Sequence, residues 1–358
     1  MKYTINMLSS AYKVKGQGVA SAYTEQVSLI KKLNKKYIVY ENKCRKADIT
    51  HFHTVDLKYR IYSMFTKNNS INVGYVHFLP ETVDGSLRLP YIARKIFYKY
   101  LINFYRSMDK LVTVNPYFIK KLQEYNIPKE KIMYIPNYVS KEKFYKLTNK
   151  QISNIKSKYG IAKNKFIVLS VGQLQTRKGV FDFCSIAKRM PNVEFIWAGG
   201  FSFGNITDGY SKIRKVVENC PPNVKFLGIV DREEMNSLYN ACDLMFLPSY
   251  NELFPMTILE AMNINKPILL RNLEIYDEIL FDFYLKGNDN NDFINEILKL
   301  IYDEEYYKYA ESQSKKGSIF YSEENVSKMW DNFYQNEINS IQNIKESRGV
   351  KWLKRLII

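Results

Sequence analysis

Two glutamates lie eight residues apart in the stretch SYNELFPMTILEAM, residues 249–262. Pro255 suits the first turn of a helix, where its missing amide hydrogen costs nothing. We therefore expect Glu252 in a loop and Glu260 about a turn and a half inside the following helix. Carboxylates in these places can accept hydrogen bonds from the hydroxyls of a sugar or ribose, while the helix N-terminus faces phosphate. The stretch is either a ligand site or an ordinary helix start after a strand.

Two adjacent cations, Arg177 and Lys178, follow the apolar run IVLSVG on a loop that leads into a predicted helix. The amides and the dipole of a helix N-terminus already favour negative charge, so these cations would hold a diphosphate well. Taken alone, the pair is more typical of a solvated surface. Gly199-Gly200 follows a further apolar run and could be a simple turn.

The surrounding chain of 358 residues alternates short apolar runs with longer helical periods. This rhythm is typical of a parallel sheet covered by helices. Because a second series of runs begins after a lysine-rich stretch, we predict an α/β protein with two doubly wound, Rossmann-like halves joined near residues 140–160. Ligands of such folds bind at the carboxyl ends of the strands. The glutamates, cations and glycines all follow strands of the second half, and we expect them on one edge of one sheet.

Charge is divided unevenly along the chain. Residues 1–150 contain 27 Lys and Arg against 10 Asp and Glu, whereas residues 151–358 contain 26 of each. The first half is therefore expected to approach an anionic partner, either nucleic acid or lipid headgroups.

The sequence lacks the patterns of disulfide-rich, metal-binding, membrane-spanning and exported proteins. The four cysteines form no CxxC pair, and neither an Asp-x-Asp triplet nor a His/Asp/Glu cluster has metal-ligand spacing. The chain has no run of 18 apolar residues, and its N-terminus lacks the pattern of a signal peptide. We therefore expect a cytoplasmic protein with reduced thiols, no metal ion and no membrane span.

Several motifs, in the right order, resemble those of the family 4 retaining glycosyltransferases with the two-domain GT-B architecture. NELFPMTILEA resembles their paired-glutamate motif, VGQLQTRKG their phosphate loop, KGQGVASAYTEQV their first glycine loop and VGYVHFLPE their histidine-bearing strand end. The matches cover about residues 1–335. The resemblance implies two domains that face a central cleft, an acceptor- and membrane-binding domain at 1–148 and a nucleotide-sugar domain at 149–322. Helices at 323–358 would return to the first domain.

The resemblance also implies roles for individual residues. Arg177 and Lys178 would neutralise the leaving nucleoside diphosphate, Glu252 would bind hydroxyls of the donor sugar, and Glu260 would bind the ribose. His77 would lie near the reacting carbon, with a place in the core as the alternative. The further residues expected to bind the donor are Gly16, Gly18, Gly172, Gly200, Gly228, Phe254 and Met256.

The segment PYIARKIFYKYLINFYRS, residues 90–107, predicts a basic and aromatic amphipathic helix. We expect its basic side to lie on an anionic membrane surface and Ile96 to share the other side with Phe104. A helix packed entirely into the core is the alternative. The residues expected to contact the membrane are Arg94, Lys95, Lys99, Arg106 and, in the tail RGVKWLKRLII, Trp352.

The motifs KGQGVASAYTEQV and HFLPETVDGSLRLP are also similar to those of bacterial glycosyltransferases that extend glucosyl-diacylglycerol. We expect a retaining enzyme that transfers a hexose from UDP-glucose or UDP-galactose to a diacylglycerol-based lipid acceptor. It would act without a metal ion, peripherally at the inner face of the cell membrane. One alternative acceptor is a cell-surface polysaccharide or a polyprenyl-linked glycan.

Two further alternatives are not enzymes. A basic nucleic-acid binder is disfavoured because no helix-turn-helix, zinc-finger or RNP signature is found. A degenerate partner subunit is disfavoured because Arg177 and Lys178 are retained. The sequence leaves the oligomeric state, the donor sugar and the linkage open.

Overall fold

The computed structural model describes residues 2–11, 18–67, 69–80, 90–202 and 204–356, with side chains as far as residue 340 except that of residue 206. Its first six strands are β1 (Tyr3–Leu8), β2 (Tyr37–Glu41), β3 (Ile49–Phe52), β4 (Ile71–Val76), β5 (Lys110–Thr113) and β6 (Ile132–Tyr134). They pair in parallel in the order β2-β1-β3-β4-β5-β6. The strand β4 is buried along its whole length, as expected where helices cover both faces of a parallel sheet.

The helices that accompany this sheet are α1 (Gly18–Lys32), α2 (Leu57–Thr66), α3 (Tyr91–Arg106) and α4 (Tyr117–Glu124). From β3 to β6 the chain moves in one direction across the sheet. Since crossovers between parallel strands are right-handed, α2, α3 and α4 lie side by side on one face. The reversed step from β1 to β2 places α1 on the other face.

The second sheet is built in the same way. Its strands are β7 (Ile167–Val171), β8 (Glu194–Ala198), β9 (Val224–Gly228), β10 (Leu244–Leu247), β11 (Ile268–Arg271) and β12 (Leu285–Gly287), in the parallel order β12-β11-β10-β7-β8-β9. Its helices are α5 (Asn149–Lys158), α6 (Val180–Arg189), α7 (Tyr210–Glu218), α8 (Arg232–Ala241), α9 (Met256–Asn263), α10 (Asn290–Tyr302) and α11 (Glu304–Phe320). The prediction of two doubly wound α/β halves is therefore confirmed.

The last helix, α12 (Glu323–Leu356), returns to the first half. Trp330 and Tyr334 pack against His51 of β3, with ring centroids 5.3 and 6.4 Å away, and Lys110 Nζ lies 3.1 Å from Glu337 Oε1. This confirms the prediction that the C-terminal helix crosses back. The domain boundaries after residues 148 and 322 stay predictions.

Candidate active site

A cleft of about 740 Å³ lies between the two halves, at the carboxyl ends of their strands. Ten of the predicted site residues line it: Gly18, His77, Gly172, Arg177, Lys178, Gly200, Glu252, Phe254, Met256 and Glu260. Gly16 lies outside the described residues. Gly228 does not line the cleft in the described part of the chain; instead its carbonyl accepts a hydrogen bond of 2.7 Å from the Gly199 amide.

Lys178 and Glu252 form a buried ion pair in this cleft. Lys178 Nζ donates to Glu252 Oε1, and the two residues are only 9% and 5% exposed. Arg177 Nη1 lies 3.7 Å from Glu252 Oε2 and donates to the Asn251 carbonyl at 2.8 Å. Burial by itself raises the pKa of the Glu252 carboxyl, but the charges of Lys178 and Arg177 together hold that pKa below its usual range. Glu252 is therefore a carboxylate, and the three side chains carry one excess positive charge.

The loop with the two cations packs closely against the end of β10. Gly179 has φ 73°, and a Cβ at this position would lie 2.4 Å from the Pro248 carbonyl oxygen, so only glycine fits. The Tyr250 amide donates to the Arg177 carbonyl at 2.7 Å. Because α6 begins at Val180, its first amides lie beside both cations. Amides and cations together form an anion-binding arrangement.

Glu260 is held by two donors within the second half. Arg232 Nη1 donates to Oε1 and the Tyr239 hydroxyl to Oε2, both at 2.7 Å. Arg232, which also lines the cleft, reaches Glu25 of α1 at 3.5 Å, and Lys143 Nζ lies 2.8 Å from the same Glu25 oxygen. The predicted ribose-binding carboxylate is thereby linked to the first half. Sequence reasoning did not assign Arg232, although its position at the start of the helix after β9 was an available signal.

Three neighbouring strands end in glycines, namely Gly172 after β7, Gly199 after β8 and Gly228 in β9. Gly199 has φ 144°, and a Cβ on it would lie 1.9 Å from the Gly172 carbonyl oxygen. Trp197 Nε1 donates to that same oxygen at 2.9 Å. Of the Gly199-Gly200 pair, the sequence reasoning selected Gly200, yet Gly199 is the position where no other residue fits.

Four buried polar atoms on cleft-lining residues have no hydrogen-bond partner among the residues that the structure describes. They are His77 Nε2, Gln175 Oε1, Ser202 Oγ and Thr257 Oγ1. Buried polar atoms in proteins are nearly always paired. Their convergence on one cleft indicates that the cleft is built to receive a polar ligand.

His77 belongs to a buried cluster of aromatic rings. It stacks on Tyr75 with ring centroids 4.2 Å apart, and its ring lies 5.8 Å from that of His53. Burial lowers the pKa of His77 to about 3. Burial, with a smaller contribution from His77, does the same for His51, and burial together with its two histidine neighbours lowers the pKa of His53 well below its ordinary value. His77 is therefore neutral at pH 7, and its ring can either donate a hydrogen bond to a ligand or accept one from it.

We expect the protein to lose stability as the pH falls below about 6.5, the ordinary histidine pKa. Below this pH the histidines of the unfolded chain become protonated, whereas the buried histidines of the folded chain stay neutral. Each buried histidine therefore lowers the free energy of unfolding by up to about 1.4 kcal/mol per pH unit. The melting temperature, measured between pH 7.5 and pH 5, should fall, and His53→Gln should make the decline shallower. Equal melting temperatures at both pH values would contradict this account.

Two buried asparagines of the first half hold the loop that follows Glu252. Asn115 Nδ2 donates to the Leu253 carbonyl at 3.1 Å and to the Ile275 carbonyl at 2.8 Å. Asn137 Nδ2 donates to the Phe254 carbonyl at 3.2 Å. The position of the loop after Glu252 is therefore set by both halves. Sequence reasoning missed these residues because a single asparagine after a strand has no distinctive pattern.

Helix α3 has one exposed side and one buried side, so it is neither a pure surface helix nor a pure core helix. Lys95 and Lys99 are exposed and Arg94 is half-buried. Ile96 is 65% exposed whereas Phe104 is 1% exposed, since the two lie about 80° apart around the helix. The expectation that they share a side is wrong.

The other two predicted membrane residues differ from these. Arg106 is exposed, but its Nε and Nη2 atoms donate to the Tyr125 carbonyl at 3.1 and 2.7 Å. It therefore closes the C-terminus of α4. Trp352 lies in the part of α12 whose side chains are not described.

In the described part of the chain, no helix combines the length and apolarity needed to cross a membrane. In the same residues, no group of three or more His, Cys, Asp or Glu side chains is placed to hold a metal ion.

The chain is similar to known proteins over nearly its whole length. Residues 151–317 match the family model described as glycosyl transferases group 1. The alpha-galactosylglucosyldiacylglycerol synthase of Streptococcus pneumoniae is 44% identical over 337 residues, which cover 94% of this chain and 90% of that protein. The processive diacylglycerol alpha-glucosyltransferase of Acholeplasma laidlawii is 30% identical over 211 residues, or 58% of this chain and 62% of that protein.

Solved structures share the fold at low sequence identity. The Anabaena HepE structure in complex with UDP and glucose has a TM-score of 0.75 at 17% identity, covering 93% of this chain and 99% of that chain. A sucrose-phosphate synthase from Thermosynechococcus elongatus has a TM-score of 0.77 at 14% identity, covering 95% and 100%. These likenesses establish the GT-B fold, and the near full-length identity of 44% to the streptococcal synthase establishes the family. The chain belongs to the glycosyl transferases group 1 family.

Proposed function

We propose that this protein is a retaining glycosyltransferase that moves a hexose from a UDP-sugar to a diacylglycerol-based glycolipid. Its specific form would be galactosyl transfer from UDP-galactose to glucosyl-diacylglycerol. The proposed substrates are supported by the identity of 44% across 94% of the chain to a galactosylglucosyldiacylglycerol synthase. The reaction class is supported independently by Arg177, Lys178 and Glu252, which meet in a cleft lined by both halves.

The residues of the cleft suit the departure of a diphosphate. In the proposed reaction the bond from the sugar C1 to the diphosphate oxygen breaks, and the acceptor hydroxyl oxygen bonds to C1 on the same face. The hydroxyl proton passes to the departing phosphate oxygen. Arg177, Lys178 and the first amides of α6 would stabilise the charge that develops on that oxygen. An alpha product formed from an alpha-linked UDP-sugar retains the configuration at C1, in agreement with the name of the streptococcal relative.

Other residues would bind and orient the donor. Glu252, held as a carboxylate by Lys178, would accept hydrogen bonds from sugar hydroxyls. Glu260, held by Arg232 and Tyr239, would receive the ribose. Neutral His77 would present its unpaired Nε2 near the reacting carbon. We propose that the charges of Arg177 and Lys178 take the place of a metal ion.

We further propose that the first domain binds an anionic membrane peripherally. Lys95 and Lys99 are exposed on α3, and the excess of basic residues lies entirely in residues 1–150. Each basic residue near an anionic surface contributes about 1 kcal/mol to binding. Several such residues give reversible association.

The test is transfer of label by purified protein. Labelled UDP-galactose or UDP-glucose would be incubated with liposomes that contain diacylglycerol or glucosyl-diacylglycerol, and label in the organic phase would be measured. We expect label only with UDP-galactose and glucosyl-diacylglycerol. UDP release without organic label would contradict the lipid acceptor and direct the search to polysaccharide or polyprenyl-linked acceptors. Label with another donor or lipid would correct the substrate and keep the enzyme class.

A further inference from the structure

The helix α2 exposes an unusual stripe of large apolar side chains. Leu57, Ile61, Met64 and Phe65 are 66%, 50%, 61% and 75% exposed. Their spacing of four, three and one residues places them on one side of the helix. The opposite side, with Tyr59 and Ser63, is buried. We name these four exposed side chains the α2 ridge.

Large apolar side chains are also exposed on the neighbouring helix. Phe52 of β3 contacts both Tyr59 of α2 and Phe104 of α3, with ring centroids 6.3 and 6.1 Å apart. The Tyr100 hydroxyl of α3 donates to the Val55 carbonyl, just before α2, at 2.7 Å. On the outer side of α3, three further apolar side chains are 60–73% exposed, namely Tyr91, Ile92 and Ile96. Single exposed apolar residues are ordinary, but seven large apolar side chains exposed on two adjacent helices indicate an interaction surface.

The charges around this surface indicate what covers it. The helices α2 and α3 together carry six basic residues and no acidic residue. A symmetric dimer would place this surface against itself and bring like charges together. An anionic lipid bilayer complements both features, because apolar side chains enter the boundary of the acyl chains while cations stay among the headgroups.

We propose that the α2 ridge inserts into an anionic bilayer beside α3, so that both helices, and not α3 alone, form the membrane surface. This inference rests on the proposed function and adds to it the element that enters the lipid. The inner side of α3 supports this orientation, since Phe97 lines the cleft beside Phe78, with ring centroids 6.5 Å apart. The neighbouring residue Ile96 faces outward. The acyl chains of an acceptor can therefore stay in the bilayer while its headgroup enters the cleft.

The first experiment measures partitioning to vesicles of phosphatidylglycerol and phosphatidylcholine. The variant Ile61→Ser/Phe65→Ser should bind these vesicles about tenfold or more weakly than the unsubstituted protein. The control is Tyr302→Ser/Ile319→Ser, which removes two side chains of the second domain that are 83% and 56% exposed; it should bind normally. Transfer to acceptor in detergent micelles should be unchanged in the ridge variant. Equal vesicle binding by both variants would overturn the inference.

A second experiment locates the inserted side chain directly. Trp197 and Trp330 are 0% and 1% exposed, so Trp352→Phe leaves a background of buried tryptophans. In that background, vesicles with brominated acyl chains should quench the tryptophan fluorescence of the Phe65→Trp variant but not that of the Tyr302→Trp variant. Absence of quenching at Phe65→Trp in vesicle-bound protein would refute insertion. A concentration-dependent dimer that the ridge variant abolishes, with vesicle binding unchanged, would assign the surface to a second copy instead.

The two proposals can fail separately. If brominated lipid quenches the tryptophan fluorescence of Phe65→Trp but no hexose reaches a diacylglycerol-based acceptor, the inferred membrane surface is supported and the proposed acceptor is wrong. If glycolipid is formed but the ridge variant binds and acts on vesicles normally, the enzyme stands and the ridge has no role in membrane binding.

Discussion

Lys178→Met is expected to lower hexose transfer by about 10²–10³-fold. This is the usual loss when one preorganised donor to a developing negative charge is removed. The loss should fall on kcat, because the ammonium group acts most strongly on the charge that develops as the diphosphate leaves. Lys188→Met, at an exposed position of the same helix α6, should keep full activity. Turnover with labelled UDP-sugar would measure both, and an unchanged kcat in Lys178→Met would overturn the assignment.

The same substitution is expected to destabilise the protein, since Lys178 and Glu252 are buried partners. Removing one partner of a buried ion pair costs about 3–5 kcal/mol, and Arg177 at 3.7 Å from Glu252 should keep the cost at the lower end of this range. A double variant is therefore needed to separate the effect on transfer from the loss of stability. Lys178→Met/Glu252→Gln should recover much of the unfolding free energy, measured by urea denaturation, while transfer stays lost. Recovery of activity together with stability would mean that the pair is structural only.

Gly199→Ala is expected to impair both folding and transfer. A Cβ at this position would lie 1.9 Å from the Gly172 carbonyl oxygen, and φ of 144° is unfavourable for alanine. We expect a loss of about 3 kcal/mol in the free energy of unfolding. If Gly172 moves by an ångström to relieve the clash, the following loop with Arg177 and Lys178 is misplaced and transfer should fall about 10²-fold.

A glycine with positive φ but without the clash provides the control for Gly199. Gly204 has φ 55°, and no described atom lies within 4 Å of a Cβ built on it. Gly204→Ala should therefore cost about 1–2 kcal/mol from backbone conformation alone and leave the donor KM unchanged. Equal losses in the two variants would show that backbone conformation, and not the contact with Gly172, makes Gly199 necessary.

Much of the fold was predictable because its signals are local. Alternating apolar runs and helical periods predict parallel sheets, and they correctly placed Arg177, Glu252 and Glu260 near one sheet edge. The helix α5 was missed because it lies in a polar, lysine-rich stretch and none of its residues is fully buried. Its capping box from Thr148 to Gln151 was the available local signal.

The sequence by itself determined the fold class, the family resemblance and the strand ends that carry the cations and carboxylates. It did so because strand and helix periods, and short motifs, are properties of consecutive residues. Only the tertiary structure decided that Lys178 pairs with Glu252, that Arg232 holds Glu260, that Gly199 abuts Gly172, and that α2 exposes an apolar ridge. Each of these depends on which distant segments pack together, since the environment of a side chain is set by neighbours in space and not by neighbours in sequence.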